Sequence, residues 1–281
     1  MNEATKTNII RGEDFKRRYL SGRVIDIGCG PDLVVPHAVP FDLAQGDAQS
    51  ILDYFESESF DSVHSSHCLE HMEDAEVALR NWWALVKPYG HLIIVVPDED
   101  LYEQGAWPSI FNADHKATFN LGKLKSWSPV SCDIKFLIEA LPGAEIIEAR
   151  LQDDGYDHRL IRRCTSWRII LFKCGLYRQH ITGFLMRWGL PVHRINLMLD
   201  RLERMLGKPV DQTLSAAVAQ IQVVAQKRFS ESRTADHPGE RHQLQFTLQR
   251  SPNNTEIAAN GLTRRPKWDE YVSHYPPQDE R

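Results

Sequence analysis

The stretch Val24-Ile25-Asp26-Ile27-Gly28-Cys29-Gly30-Pro31-Asp32 decides how the chain is read. Val24 to Ile27 are β-branched and apolar apart from Asp26, which predicts a short buried strand. Gly28 and Gly30 follow at once and predict a turn where backbone approaches a ligand with no Cβ in the way. At the carboxyl edge of a parallel sheet, such a turn is where doubly wound α/β folds bind nucleotides. The dinucleotide version needs a third glycine at a position that here holds Leu33, so a nicotinamide cofactor loses support. Asp26, in or beside the strand, is placed to anchor the glycine loop through backbone amides.

Upstream, Glu13–Leu20 carries charges and an aromatic at helical spacing and stops at Ser21-Gly22, which predicts a helix. Downstream, Val39–Leu43, Phe60–Ser65 and His91–Val96 predict strands, the last so apolar that it needs cover on both faces. Between the last two, Asp74–Lys87 places Ala78, Leu79, Trp82 and Leu85 at helical spacing and closes at Pro88-Tyr89-Gly90, giving a right-handed βαβ unit. Ser131–Leu141 predicts a further helix, and Ala144–Leu151 and Ala216–Ala225 predict two strands flanking an insertion. The expected division is an N-terminal helix at 1–22, a core at 23–154, a basic helical insertion at 155–209 and the last core strand at 210–228. Residues 229–281 turn polar and are expected to be a tail without a core of its own.

The chain has 281 residues, of which 42% are apolar and 9% aromatic, enough for an ordinary globular core. Every apolar run is broken by charge well short of a bilayer span, and the N-terminus lacks an apolar signal core, so a cytoplasmic protein is expected. Cys29, Cys68, Cys132, Cys164 and Cys174 are scattered, with no Cys-x-x-Cys pair, and indicate neither a disulfide framework nor a zinc knuckle. The net charge of -5 is uneven: His158–Lys208 holds eleven Lys and Arg against Asp200 and Glu203, a net of +9, which leaves -14 elsewhere.

Val24-Ile-Asp-Ile-Gly-Cys-Gly resembles the first motif of class I S-adenosylmethionine-dependent methyltransferases, a strand followed by Asp/Glu-x-Gly-x-Gly-x-Gly. Three matches follow in order: Phe41-Asp42, similar to the end of the family's second strand; Gly46-Asp47-Ala48; and Phe60–His71, similar to the fourth-strand motif. The resemblance implies a Rossmann-like, doubly wound seven-stranded sheet with an antiparallel last strand. It also implies S-adenosylmethionine as cofactor, held by Asp26, Gly28, Cys29, Gly30, Asp42, Leu43, Asp47, Ala48, Ser66 and His67. In that family the acidic residue at the position of Asp42 accepts from both ribose hydroxyls, and the one at Asp47 faces the adenine amino group. Two departures stand out: Asp32 replaces the third glycine, and the segment from Gly30 to Phe41 is too short for the helix that usually precedes strand two.

Methyl transfer from a sulfonium is an in-line displacement, and a general base is needed only when the acceptor carries a proton. His115, in the aromatic-rich loop with Tyr102, Trp107, Phe111 and Phe119, is the first candidate base, and His67, after the third predicted strand, the second. His71 reads as a cap or packing residue. No spacing is diagnostic of a metal, although Asp98, Asp100, Asp114 and His115 are ligand types that a fold can bring together. Ser65–Phe119 also resembles methyltransferases of bacterial surface-polysaccharide assembly, which implies O-methylation of a sugar hydroxyl in a glycan or glycolipid. Small-molecule O- or N-methylation, or a non-catalytic scaffold of the same fold, are the alternatives. The basic segment 158–208 is expected to touch an anionic membrane face or glycan; a homo-oligomer interface, an amphipathic cover for the sheet and, last, nucleic-acid binding remain as alternatives.

Overall fold

The computed structural model describes residues 3–161, 167–174, 197–198, 201–203 and 205–229. In chain order the elements are α1 (Glu3–Tyr19), β1 (Val24–Ile27), β2 (Val39–Phe41), β3 (Phe60–Ser66), α2 (Ala75–Leu85) and β4 (Val86–Pro97). They continue with β5 (Thr118–Asn120), β6 (Ser131–Asp133), α3 (Ile134–Glu139), β7 (Ala144–Gln152) and β8 (Gln220–Lys227). Six strands form one sheet in the order β2-β1-β3-β4-β8-β7, and β5 pairs with β6 apart from it. The first four are parallel, while β8 runs antiparallel to both β4 and β7.

The sheet is covered on both faces, as its apolar central strands require. Phe15 and Tyr19 of α1 pack with Val24, Ile93 and Val224 on one face. Leu79 and Trp82 of α2 and Ile134 and Ile138 of α3 pack with Phe60, Leu92, Ile94 and Val223 on the other. All four residues of β1 are buried, so the chain leaves β1 at a fixed point on the carboxyl edge of the sheet.

The structure departs from the sequence expectations at several places. The described sheet has six strands where the resemblance implied seven, because the segment joining β2 to β3 is spent on turns and a short 3-10 helix, Ala48–Asp53. α1 begins at Glu3, ten residues before the expected start, and its two halves meet at Gly12, which adopts φ 70° and ψ 177°. Its first half shows no helical apolar spacing because it buries polar groups, Lys6, Thr7 and Arg11, instead of an apolar stripe. Strand β4 starts at Val86, inside the expected helix, and Tyr89 adopts φ 64° within it. The expected helix Ser131–Leu141 divides into β6 and α3, with Asp133 capping α3 by accepting from the amides of Lys135 and Phe136.

The chain leaves the sheet at Gln152 and re-enters at Gln220, which are register partners. Of the segment between them, 167–174 is helical, and Phe172 meets Phe111 edge-on at 5.4 Å. The remainder of the expected insertion helices, 162–166 and 175–196 among it, and the tail from 230 onward lie outside the described residues.

Candidate active site

The glycine turn is fixed by the strand on either side of it. Gly28 donates its amide to the carbonyl of Phe41 at 2.8 Å and adopts φ 73°. A Cβ there would lie 2.4 Å from the Cβ of buried Cys68, so only glycine fits. Gly30 adopts φ 52° and faces open space, and its amide donates to the Asp42 carboxylate at 2.7 Å. The end of β2 is thereby tied to the loop that leaves β1.

Asp26 anchors this loop from below, accepting from the Val34 amide and from Nδ1 of His64 at 2.7 and 2.6 Å. A guanidinium only donates, so the 3.1 Å contact of Arg11 with His64 fixes Nε2 of that ring as acceptor and puts its proton on Nδ1, toward Asp26. Burial pushes His64 below its ordinary range and brings Arg11 down to about 9. Asp32, which stands in place of the family's third glycine, accepts from the amide and the hydroxyl of Thr5, both at 2.8 Å. The first half of α1 is held against the loop at this point, where the chain has no helix between β1 and β2.

Two cavities open on the carboxyl edge of the sheet and share Gly28 and His67. The larger, 570 Å³, is lined by Asp42, Leu43, Gly46, Asp47 and Ala48 on one side and by His71, Asp114 and Lys116 on the other. The smaller, 350 Å³, is lined by Asp26, Cys29, Gly30, Ser66, Glu3 and Ala4. All ten residues expected to hold the cofactor border one cavity or the other. Leu43 is 91% exposed, an apolar side chain at the rim with nothing packed on it. Asp47 accepts from the Gln49 amide at 2.9 Å and so also caps the 3-10 helix after it. Cys68 is inert, its thiol pushed up to about 12 by burial, and burial also raises Cys29.

Three histidines stand at the far wall. His67 has the left-handed φ of 54°, its amide donating to the carbonyl of Val95 at 3.0 Å, which turns its side chain into both cavities. The Gln220 amide nitrogen donates to Thr7 and Gln152, so its carbonyl oxygen accepts from Nε2 of His67 at 2.9 Å. Nδ1 of His67 faces the Glu70 carboxylate at 3.5 Å. Burial acts to lower His67, but Glu70, Glu3 and Gln220 together raise it above its ordinary value.

His71 and His115 lie beside it, with ring centroids 5.0 Å apart. The backbone makes this pairing: the amides of Lys116 and Ala117 donate to the carbonyl of Glu70, pinning the loop after β4 to the turn after β3. Nδ1 of His71 is 2.9 Å from Asp114 and Nδ1 of His115 is 2.7 Å from buried Glu103. His115 is itself buried, behind His71, and Tyr102 stacks on it at 5.3 Å. Tyr102 also meets Phe111 edge-on, so these two aromatics pack the loop instead of facing the cavity.

The alternative ligand set Asp98, Asp100, Asp114 and His115 does not assemble. Asp98 caps the turn after β4, accepting from the amides of Asp100 and Leu101, and Asp100 pairs with Lys123 and Trp127. Glu3, Glu70 and Glu103 were not singled out in the sequence. Only the spacing His67-x-x-Glu70-His71 hinted at Glu70; Glu3 and Glu103 reach the site through tertiary packing alone.

The geometry meets a family likeness here. Residues 11–128 match the model of a family described as a methyltransferase domain. A search of curated proteins finds no match. Among solved structures, a SAM dependent methyltransferase from Archaeoglobus fulgidus is 16% identical over 80% of this chain and 94% of its own, with a TM-score of 0.43. The YcgJ protein from Bacillus subtilis is 14% identical over 75% and 94%, TM-score 0.39. Phosphoethanolamine N-methyltransferase 2 from Haemonchus contortus, solved with S-adenosyl-L-methionine, is 15% identical over 80% and 57%, TM-score 0.39. Likenesses of this size carry no argument about what the chain acts on. Residues 11–128 of the chain are thus similar to a methyltransferase domain, and the residues that line the two cavities, Glu3 and Ala4 apart, lie within them.

Proposed function

We propose that the chain transfers the methyl group of S-adenosylmethionine to a hydroxyl oxygen, and that the acceptor is a sugar in a glycan or glycolipid. The observation that carries this is the meeting of the two cavities at Gly28 and His67. The larger suits an adenosine, with Asp42 for the ribose hydroxyls and Asp47 for the adenine edge. The smaller suits the aminoacyl end, with the Gly28–Gly30 backbone at its floor. The cofactor supplies a methyl group on a sulfonium, and its reacting carbon belongs near the shared wall.

The residues of the chain then have two tasks, orientation and proton removal. His67 stands on the shared wall; Nε2 is committed to Gln220, which leaves Nδ1, facing Glu70 at 3.5 Å, as the nitrogen that takes a proton. We assign it as the base, with Glu70 steadying the imidazolium that results. His115, the first choice from sequence, lies behind His71, and we give it a supporting place in the same wall. An imidazole at the transfer point favours a hydroxyl over an amine, because an unprotonated amine needs no base before it attacks.

The sugar acceptor rests on the resemblance of Ser65–Phe119 to polysaccharide-associated enzymes, and the membrane setting on the described parts of 158–208. There Trp167, Ile170, Met198 and Met205 are exposed among basic residues, which suits contact with an anionic inner membrane face. No helix among the described residues is long and apolar enough to cross a membrane.

The test is a screen of nucleotide sugars, glycolipids and small phenols or amines with methyl-labelled cofactor. Label is expected on a sugar oxygen. Label only on an amine would overturn the acceptor assignment, and no transfer despite tight cofactor binding would favour a scaffold. His67→Gln should lower turnover at least tenfold while leaving cofactor affinity within about twofold; an equal loss of both would count against the base.

A further inference from the structure

We infer that Glu70, His71 and His115 form a binding site for one divalent transition-metal cation at the wall of the larger cavity. A ligand atom of each lies within 4.8 Å of the others, the only such group among the described residues. Around a shared zinc-sized ion these atoms stand roughly 3–3.5 Å apart, so small side-chain rotations close the set.

Three observations point to a ligand in addition to the proximity. Glu70 is 1% exposed, yet its Oε2 has no hydrogen-bond partner, which for a buried carboxylate oxygen is costly unless something positive meets it. Both histidines are held through Nδ1 by carboxylates, His71 by Asp114 at 2.9 Å and His115 by Glu103 at 2.7 Å. A carboxylate accepts, so Nδ1 carries the proton in each ring and Nε2 is the bare lone pair, the arrangement in which imidazoles bind metals. Finally, the surroundings are acidic: Glu3, Glu73, Glu103 and Asp114 flank the group, and the lysines beside them, Lys6 and Lys116, are paired with Glu3 and Glu73.

Two imidazoles and one carboxylate select borderline cations such as Zn²⁺, Co²⁺, Mn²⁺ or Fe²⁺ over Ca²⁺ or Mg²⁺. Three protein ligands leave coordination positions open, and His71, Asp114 and Lys116 line the larger cavity, so the open side faces that space. Resting on the methyl-transfer reading above, the ion would take an oxygen of the acceptor hydroxyl or diol and lower its pKa, leaving less for His67 to do. The site itself does not depend on that reading.

The experiment uses the full chain, stripped with a chelator and then titrated with Co²⁺, read by its visible d–d absorption, and with Zn²⁺ by calorimetry. One equivalent of each is expected to bind. Glu70→Gln, His71→Ala and His115→Ala should each weaken binding by at least tenfold. If a buried variant does not fold, Asp114→Asn decides: Asp114 is exposed, and losing its hold on His71 should weaken the ion roughly 10–100-fold. No stoichiometric ion in the wild type, or ion binding that none of these variants changes, would overturn the site. Cation bound without S-adenosylmethionine binding would uphold the site and sink the transfer reading; cofactor bound with no cation would do the reverse.

Discussion

At Gly28 the sequence and the chemistry meet in one atom that is missing. The position needs a positive φ and has no room for a Cβ, because Cys68 stands 2.4 Å from where it would be. Gly28→Ala should therefore lose about 1–3 kcal/mol of stability, read by urea unfolding, and lose cofactor affinity with it. Gly30→Ala separates the two causes: it keeps the strain of a positive φ and meets no neighbour, so its stability loss should be the smaller. Equal losses at both positions would show that Cys68 does not close the site. Asp26 and Asp42 differ in the same instructive way, since Asp26 is buried under the loop and holds Val34 and His64, while Asp42 stands at the cavity and holds Gly30.

At the level of elements, β1 and β4 were legible because their apolar runs admit only burial, and α2 because its apolar residues recur at helical spacing. The first half of α1 was not legible, since what it buries is Lys6, Thr7 and Arg11, each partnered by a residue far away in sequence. The residues expected to hold the cofactor come from short motifs, most of them where a strand ends: Gly28 to Gly30 after β1, Asp42 and Leu43 after β2, and Ser66 and His67 at the end of β3, whereas Asp47 and Ala48 open a 3-10 helix. The Glu70, His71 and His115 group was not legible, since the bond from Lys116 to Glu70 that assembles it joins two loops. The turn that ends β4 makes its own prediction. Burial, helped by Asp100, raises Asp98 from the ordinary carboxylate value to about 7, against the opposing pull of Lys123. The folded chain then keeps a proton that the unfolded chain has lost, so this group's contribution to stability falls as pH rises from about 4 to 7. Asp98→Asn stays neutral and keeps the Oδ1 cap, so its urea midpoint should gain on the wild type between about pH 5 and pH 7. A constant difference across that window would show that Asp98 titrates normally.

For the whole molecule, the uneven charge and the sheet topology belong together. The acidic part of the chain carries the cofactor edge, and the basic segment enters and leaves through Gln152 and Gln220, neighbours at the sheet margin. If that segment rests on a membrane, the chain should co-sediment with vesicles containing anionic lipid, and much less with neutral ones. Raising the salt to about 0.5 M should release most of it, as screening weakens surface attraction. Sedimentation unaffected by lipid charge would remove the membrane from the account. The fold places everything else around one claim, that the cavities sharing Gly28 and His67 hold S-adenosylmethionine. Calorimetric titration of the cofactor into the wild type and Asp42→Ala tests it most directly. One equivalent should bind the wild type with a Kd well below about 1 mM, and Asp42→Ala should weaken it at least tenfold while stability changes by no more than about 1 kcal/mol. No heat from the wild type at about 1 mM cofactor, or equal affinity in the two proteins, would contradict the account.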